Sequence, residues 1–109
     1  MAYDEGVAQR VREVLESHDN VIEKKMFGGI VFMLAGNMCV GVVKDQLMLR
    51  VGPEQYDELL KVKHVKKMDF TGKAMKGFIY LQPEGFAEDH DLTMWLEKAI
   101  SFVSSLSEK

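Results

Sequence analysis

Between Met26 and Val51 the chain reads MFGGIVFMLAGNMCVGVVKDQLMLRV, and nothing else in it is as continuously apolar. Such a stretch has to be buried, and its punctuation says how. Ile30 to Leu34, Met38 to Val43 and Gln46 to Val51 are runs of aliphatic and β-branched residues of ordinary strand length. The separators are Ala35-Gly36-Asn37 and Lys44-Asp45. Gly and Asn accept positive φ, so the first separator suits a tight hairpin, while Lys44-Asp45 lacks a glycine and is the weaker turn signal. Links this short join antiparallel neighbours, because a parallel crossover needs a dozen or more residues. A three-stranded antiparallel meander is therefore the expected centre of the fold.

At 109 residues the chain is expected to form one domain, 1–109, large enough to bury a core without disulfides or metal. Its 47% hydrophobic and 28% charged residues exclude a disordered chain. The lone cysteine, Cys39, has no internal partner, and no leader-like or membrane-length apolar segment interrupts the pattern. A cytoplasmic, non-membrane protein is the expectation. The net charge of −3 argues against a generic nucleic-acid binder but hides an uneven distribution. Residues 1–23 sum to −4, residues 24–83 to +5, and the remainder to −4.

Val7, Val11, Val14 and Leu15 recur at helical spacing, so a first amphipathic helix is expected from Asp4, its cap, to about His18. Val21 to Phe27 is extended in character but carries Glu23, Lys24 and Lys25, as an edge strand or the exposed start of the first meander strand would. Gly28-Gly29 then reads as a bulge; a phosphate-cradling loop would want further glycines and a following helix. Gly52-Pro53 opens a short helix that buries Tyr56, Leu59 and Leu60. Gly77 to Leu81 is apolar on both faces, with Phe78 and Tyr80 opposite Ile79 and Leu81, and is expected inside the sheet. Leu92, Trp95, Leu96, Ala99, Ile100, Val103 and Leu106 define a last helix, capped by Asp89 or Asp91. The expected fold class is α+β, in the order α-β-β-β-α-β-β-α, with helices packed on a mostly antiparallel sheet.

No set of residues demands catalysis. His18, His64 and His90 lack metal-ligand spacing, and Cys39 sits in an apolar strand where an inert thiol is expected. No cofactor or metal is expected. The basic segment Lys61 to Lys76, KVKHVKKMDFTGKAMK, is either a solvated face or a contact surface for an acidic protein or nucleic acid. Within it Lys63, Lys66, Lys67 and Lys73 would steer a partner, while Met68 and Phe70 would anchor it. The meander, needed to cover the helices, is expected to take no part in that contact.

Lys25-Met26-Phe27-Gly28-Gly29, the Gly36-Asn37-Met38 turn, Leu47-Met48-Leu49-Arg50-Val51, Met68-Asp69-Phe70, Lys76-Gly77-Phe78 and the final Trp95-Leu96 helix resemble the TfoX N-terminal domain family. Met26, Phe27, Gly28 and Gly29 are the most specific part of this likeness. The resemblance implies a fold similar to secretion chaperones and, in full-length members, transcription regulation of natural competence. Those regulators carry a second, C-terminal helical domain that these 109 residues lack, leaving a stand-alone domain or a piece of a longer chain as alternatives. The expectation is a non-enzymatic regulatory or protein-interaction module. Its partner would be a protein of the transcription machinery or a regulator, with nucleic acid as the alternative and a homodimer also open.

Overall fold

The computed structural model describes residues 3–26, 28–69 and 74–106. The first helix, α1 (Glu5–Leu15), starts where Asp4 Oδ1 accepts the backbone N–H groups of Gly6 and Val7, at 2.8 and 3.2 Å. These are two of the donors a helix start leaves unpaired. Four strands follow: β1 (Val21–Met26), β2 (Gly29–Leu34), β3 (Asn37–Val43) and β4 (Gln46–Arg50). After α2 (Pro53–Leu59) come β5 (Val65–Asp69), β6 (Ala74–Leu81), a 3-10 turn at Pro83–Phe86 and α3 (Asp89–Ser104). All strand pairs are antiparallel, in the spatial order β1-β2-β3-β4-β6-β5. The α+β class and the interior position of Gly77 to Leu81 are as expected from the sequence.

Val21 to Met26 is a separate edge strand rather than the start of the next one. Met26 pairs with Gly29, so the chain reverses between them, and Gly28 takes φ +73° within that reversal. The expected bulge at Gly28-Gly29 is thus a hairpin turn. Register shifts lie instead between Lys67 and Asp69 and between Phe32 and Met33, the latter where two β3 residues, Cys39 and Val40, both join the core under the helices. In the next hairpin the positive φ falls on Ala35 (+52°) and Gly36 (+85°), and Asn37 already begins β3. Lys44 reaches φ +56° without a glycine, where its carbonyl accepts the Asp4 N–H at 2.6 Å. That bond and the parallel bridge between Tyr3 and Lys44 tie the start of α1 to the turn.

One face of the sheet carries the main core. Ile30, Phe32, Val40, Val42, Leu47, Leu49, Ile79 and Leu81 meet Ala8, Val11 and Leu15 of α1, Tyr56 and Leu59 of α2, and the Leu92 to Val103 stripe of α3. The expected Asp cap of α3 does not form. Glu88 occupies the cap position without a side-chain bond, and Asp89 pairs with Arg10 of α1 at 3.1 Å. Arg10 also donates to the carbonyls of Phe86 and Ala87, so this guanidinium staples the entry of α3 to α1.

Candidate interaction face

The opposite face of the sheet has a core of its own, and among the described residues no helix contributes to it. Val31, Met48 and Met68 are buried there, with Met26, Met33, Met38, Phe78 and Tyr80 partly buried around them. Alternation along each strand puts these residues on one side because their neighbours in sequence face the helices. Directly paired residues share a face, so the register assembles one row across all six strands: Lys24, Val31, Gly41, Met48, Tyr80 and Lys66. A second row holds Ile22, Met33 and Met38, and Arg50 pairs with Phe78 on β4 and β6. Ile22 is 58% exposed, so this face meets solvent at its β1 edge.

Gly41 has a packing role in the first row. A Cβ there would lie 3.3 Å from both Met48 Cε and Val31 Cγ2, so its absence lets the Met48 side chain lie flat over β3. Arg50 lies with its guanidinium carbon 5.4 Å from the Phe78 ring centroid and 5.8 Å from that of Phe102 on α3. The described polar residues of the two rows are Lys24, Lys66, Arg50 and the Tyr80 hydroxyl; neither row contains a carboxylate. The face is apolar at its middle and cationic toward its edges.

The sequence-predicted contact residues divide. Lys63, Lys66 and Lys67 are exposed, Lys66 and Lys67 on edge strand β5. Met68, expected to be an exposed anchor, is fully buried in the second core, because its strand position points it at Met48's side of the sheet rather than at solvent. Phe70 and Lys73 lie outside the described residues, as does Phe27. The meander, expected only to cover the helices, supplies the buried Met48 and the partly exposed Met33 and Met38 to the opposite face as well. Sequence reasoning noted that Phe78 and Tyr80 oppose Ile79 and Leu81 but drew no surface from it. The available signal was apolar residues at both parities in β2, β4 and β6.

Burial pushes the Cys39 thiol up to about 12, which keeps it protonated and weakly nucleophilic. Among the described residues no three His, Cys, Asp or Glu side chains gather as metal ligands. The depressions on the helical side are lined by the ion pairs themselves, Arg10 with Asp89 and Arg12 with Glu23. A cleft of about 320 Å³ between Pro53 and Phe102 has Glu54 as its one ionisable lining residue. No helix among the described residues is long and apolar enough to cross a membrane.

A family description of the TfoX N-terminal domain matches residues 13–103, which include every described strand, α2, the end of α1 and all but the last residue of α3. The chain belongs to the TfoX N-terminal domain family. Comparison with curated proteins and with solved structures returns no match. The matched span of this TfoX N-terminal domain contains both faces of the sheet together with α2 and nearly all of α3, while most of α1 precedes it.

Proposed function

We propose that this TfoX N-terminal domain is a protein-interaction module rather than an enzyme, and that its contact surface is the partly exposed, methionine-rich rim of the sheet face away from the helices, Met26, Met33 and Met38 with Ile22. The observation that carries this reading is a second apolar cluster spanning β1 to β6, to which no described helix residue contributes. The centre of that cluster is buried, but Ile22 is 58% exposed beside the partly exposed Met33 and Met38, and exposed apolar patches on soluble proteins mark contact sites. Methionine suits such a surface because its unbranched, polarizable side chain adapts to differing partners. The basic segment joins the surface through Lys66 at its rim. A regulatory role in transcription, as the family's full-length members have, would be exercised through a protein bound here.

The test compares affinity capture by the native chain with capture by Met33→Glu combined with Met38→Glu. Both positions are only partly buried, so charge is tolerated there and the fold persists, as circular dichroism would verify. A specific partner retained by the native chain should be lost by the double variant. Equal retention of that partner would remove this methionine rim from the contact. Nucleic acid is the second reading, favoured by Lys63, Lys66 and Lys67 on or beside β5; it requires binding that weakens steeply as salt rises.

A further inference from the structure

Resting on that reading in its use of Ile22 and Met26, we infer that the outer edge of β1 is occupied by a second copy of this chain. The two β1 strands pair antiparallel across a two-fold axis at Lys24, so that Glu23 of each copy faces Lys25 of the other and Ile22 faces Met26. Among the described residues β1 is an edge of the sheet, and Ile22, Glu23, Lys24 and Lys25 are all exposed. Its hairpin with β2 fixes which backbone groups point outward. The Ala35 N–H donates to the Asn20 carbonyl at 3.0 Å, and hydrogen-bonded pairs alternate along an antiparallel ladder. Ile22, Lys24 and Met26 therefore turn their amides toward β2, while Glu23 and Lys25 turn theirs away from the sheet. A strand added outside β1 must bond to those two residues. In a pairing of β1 with itself, odd-numbered residues thus bond to odd-numbered ones.

Side chains choose among the registers that rule allows. Centred on Glu23, the pairing sets that carboxylate against itself; centred on Lys25, it sets two lysines together. Centred on Lys24, it makes each favourable pair twice, as a two-fold contact must. The two Glu23–Lys25 pairs fall on the helical side, where β2 presents Phe32 and Ile30 to these residues. The two Ile22–Met26 pairs fall on the other side, where they cover the exposed Ile22 and carry the methionine rim across the joint. Charges on an edge strand usually deter pairing. Here only Lys24 meets itself, and its long stem lets the two ammonium groups diverge into solvent. Arg12 takes one bond on each Glu23 carboxylate oxygen, and each oxygen keeps a second lone pair for a lysine. The opposite edge lacks such complementarity. On β5 the His64 carbonyl accepts the Gln82 N–H, so Val65 and Lys67 face outward. Self-pairing centred on Lys66 or Lys67 sets a lysine against itself with no Glu–Lys pair to offset it.

Sedimentation equilibrium of the chain tests this, at concentrations from about 10 µM to about 1 mM because one strand pairing is a small interface of the transient class. The expected result is a reversible dimer. Glu23→Lys and Lys25→Glu should each weaken it at least about tenfold, or about 1.4 kcal/mol, by setting like charges opposite one another. An equimolar mixture of the two variants should dimerise again, since the lysines of one then face the glutamates of the other; mixing would not rescue a chain that had merely lost its fold. Lys24→Thr should tighten the dimer by removing the like-charge contact on the axis. In the native chain the Glu23 and Lys25 amides should exchange more slowly as concentration rises, while the Lys67 amide at the β5 edge stays unchanged. A chain monomeric throughout overturns the second copy. A dimer that both single variants form as well as the native chain, or one that protects Lys67 instead, overturns the β1 joint. Met33→Glu with Met38→Glu should keep the dimer, since neither residue lies on β1. A monomeric native chain whose captured partner is still lost by that double variant refutes the dimer and keeps the methionine rim as a contact.

Discussion

Gly29 has no room for a methyl group. A Cβ there would stand 2.1 Å from the Val42 carbonyl oxygen, which is backbone of the paired strand and cannot swing aside. Gly28 differs: a Cβ would meet nothing within 4 Å, but its φ of +73° strains any side chain. Gly29→Ala is therefore expected to destabilise by about 2 to 3 kcal/mol through overpacking, and Gly28→Ala by about 1 kcal/mol through backbone strain. Urea midpoints at constant slope measure both, and equal stability of Gly29→Ala and the native chain would sink the packing argument. The sequence marked both glycines as special. It could not tell a turn from a bulge, because that depends on whether the flanking segments pair with each other. Ala35 teaches the converse, since its φ of +52° falls on a residue that local preference would not choose for it. The register of β2 and β3 sets that conformation.

The elements are joined by a few specific side chains as well as by the core. Arg12 of α1 grips Glu23 of β1 with two bonds, Nε to Oε2 at 2.7 Å and Nη2 to Oε1 at 2.8 Å. The hydrogen bond from Arg12 holds the Glu23 carboxyl below its usual range, with the charge of Arg12 adding to it against the cost of desolvation. A depressed folded-state value means that the stabilisation is present above the unfolded carboxyl range and is lost as pH falls through the folded value. Both side chains are about a third exposed, so the pair contributes only about 0.5 kcal/mol. Glu23→Gln should cost that much at neutral pH, and its deficit relative to the native chain should vanish below the depressed Glu23 value. Thermal unfolding at neutral and acidic pH checks this, and a deficit that persists undiminished in acid would place its cause elsewhere. Helix positions were legible because their apolar stripes are periodic. The cap of α3 was not, since Asp89 is drawn to Arg10, a residue nearly the whole chain away.

At the scale of the molecule the sheet divides two unequal cores, and substitutions should report the difference. Ile79 is fully buried among residues of the helical side, so Ile79→Ala is expected to cost about 2 to 5 kcal/mol. Met33 lies at the rim of the smaller core and is partly exposed, so Met33→Ala should cost about 1 kcal/mol or less. Denaturant titration of both variants compares the two layers, and equal losses would mean that the rim of the smaller core is packed as tightly as the helical side. By itself the sequence determined the three meander strands, the stretches that become helices and the alternation of side chains, because these follow from local periodicity and turn chemistry. It also carried the family likeness. Only the tertiary structure decided which parity of each strand the helices cover. With apolar residues at both parities of β2, β4 and β6, local pattern is symmetric between the faces, and the choice falls to where α1, α2 and α3 can land together. The insertion of β6 between β4 and β5 then brings Lys66 into one row with Lys24, a juxtaposition built from five strand registers that no single stretch of chain contains.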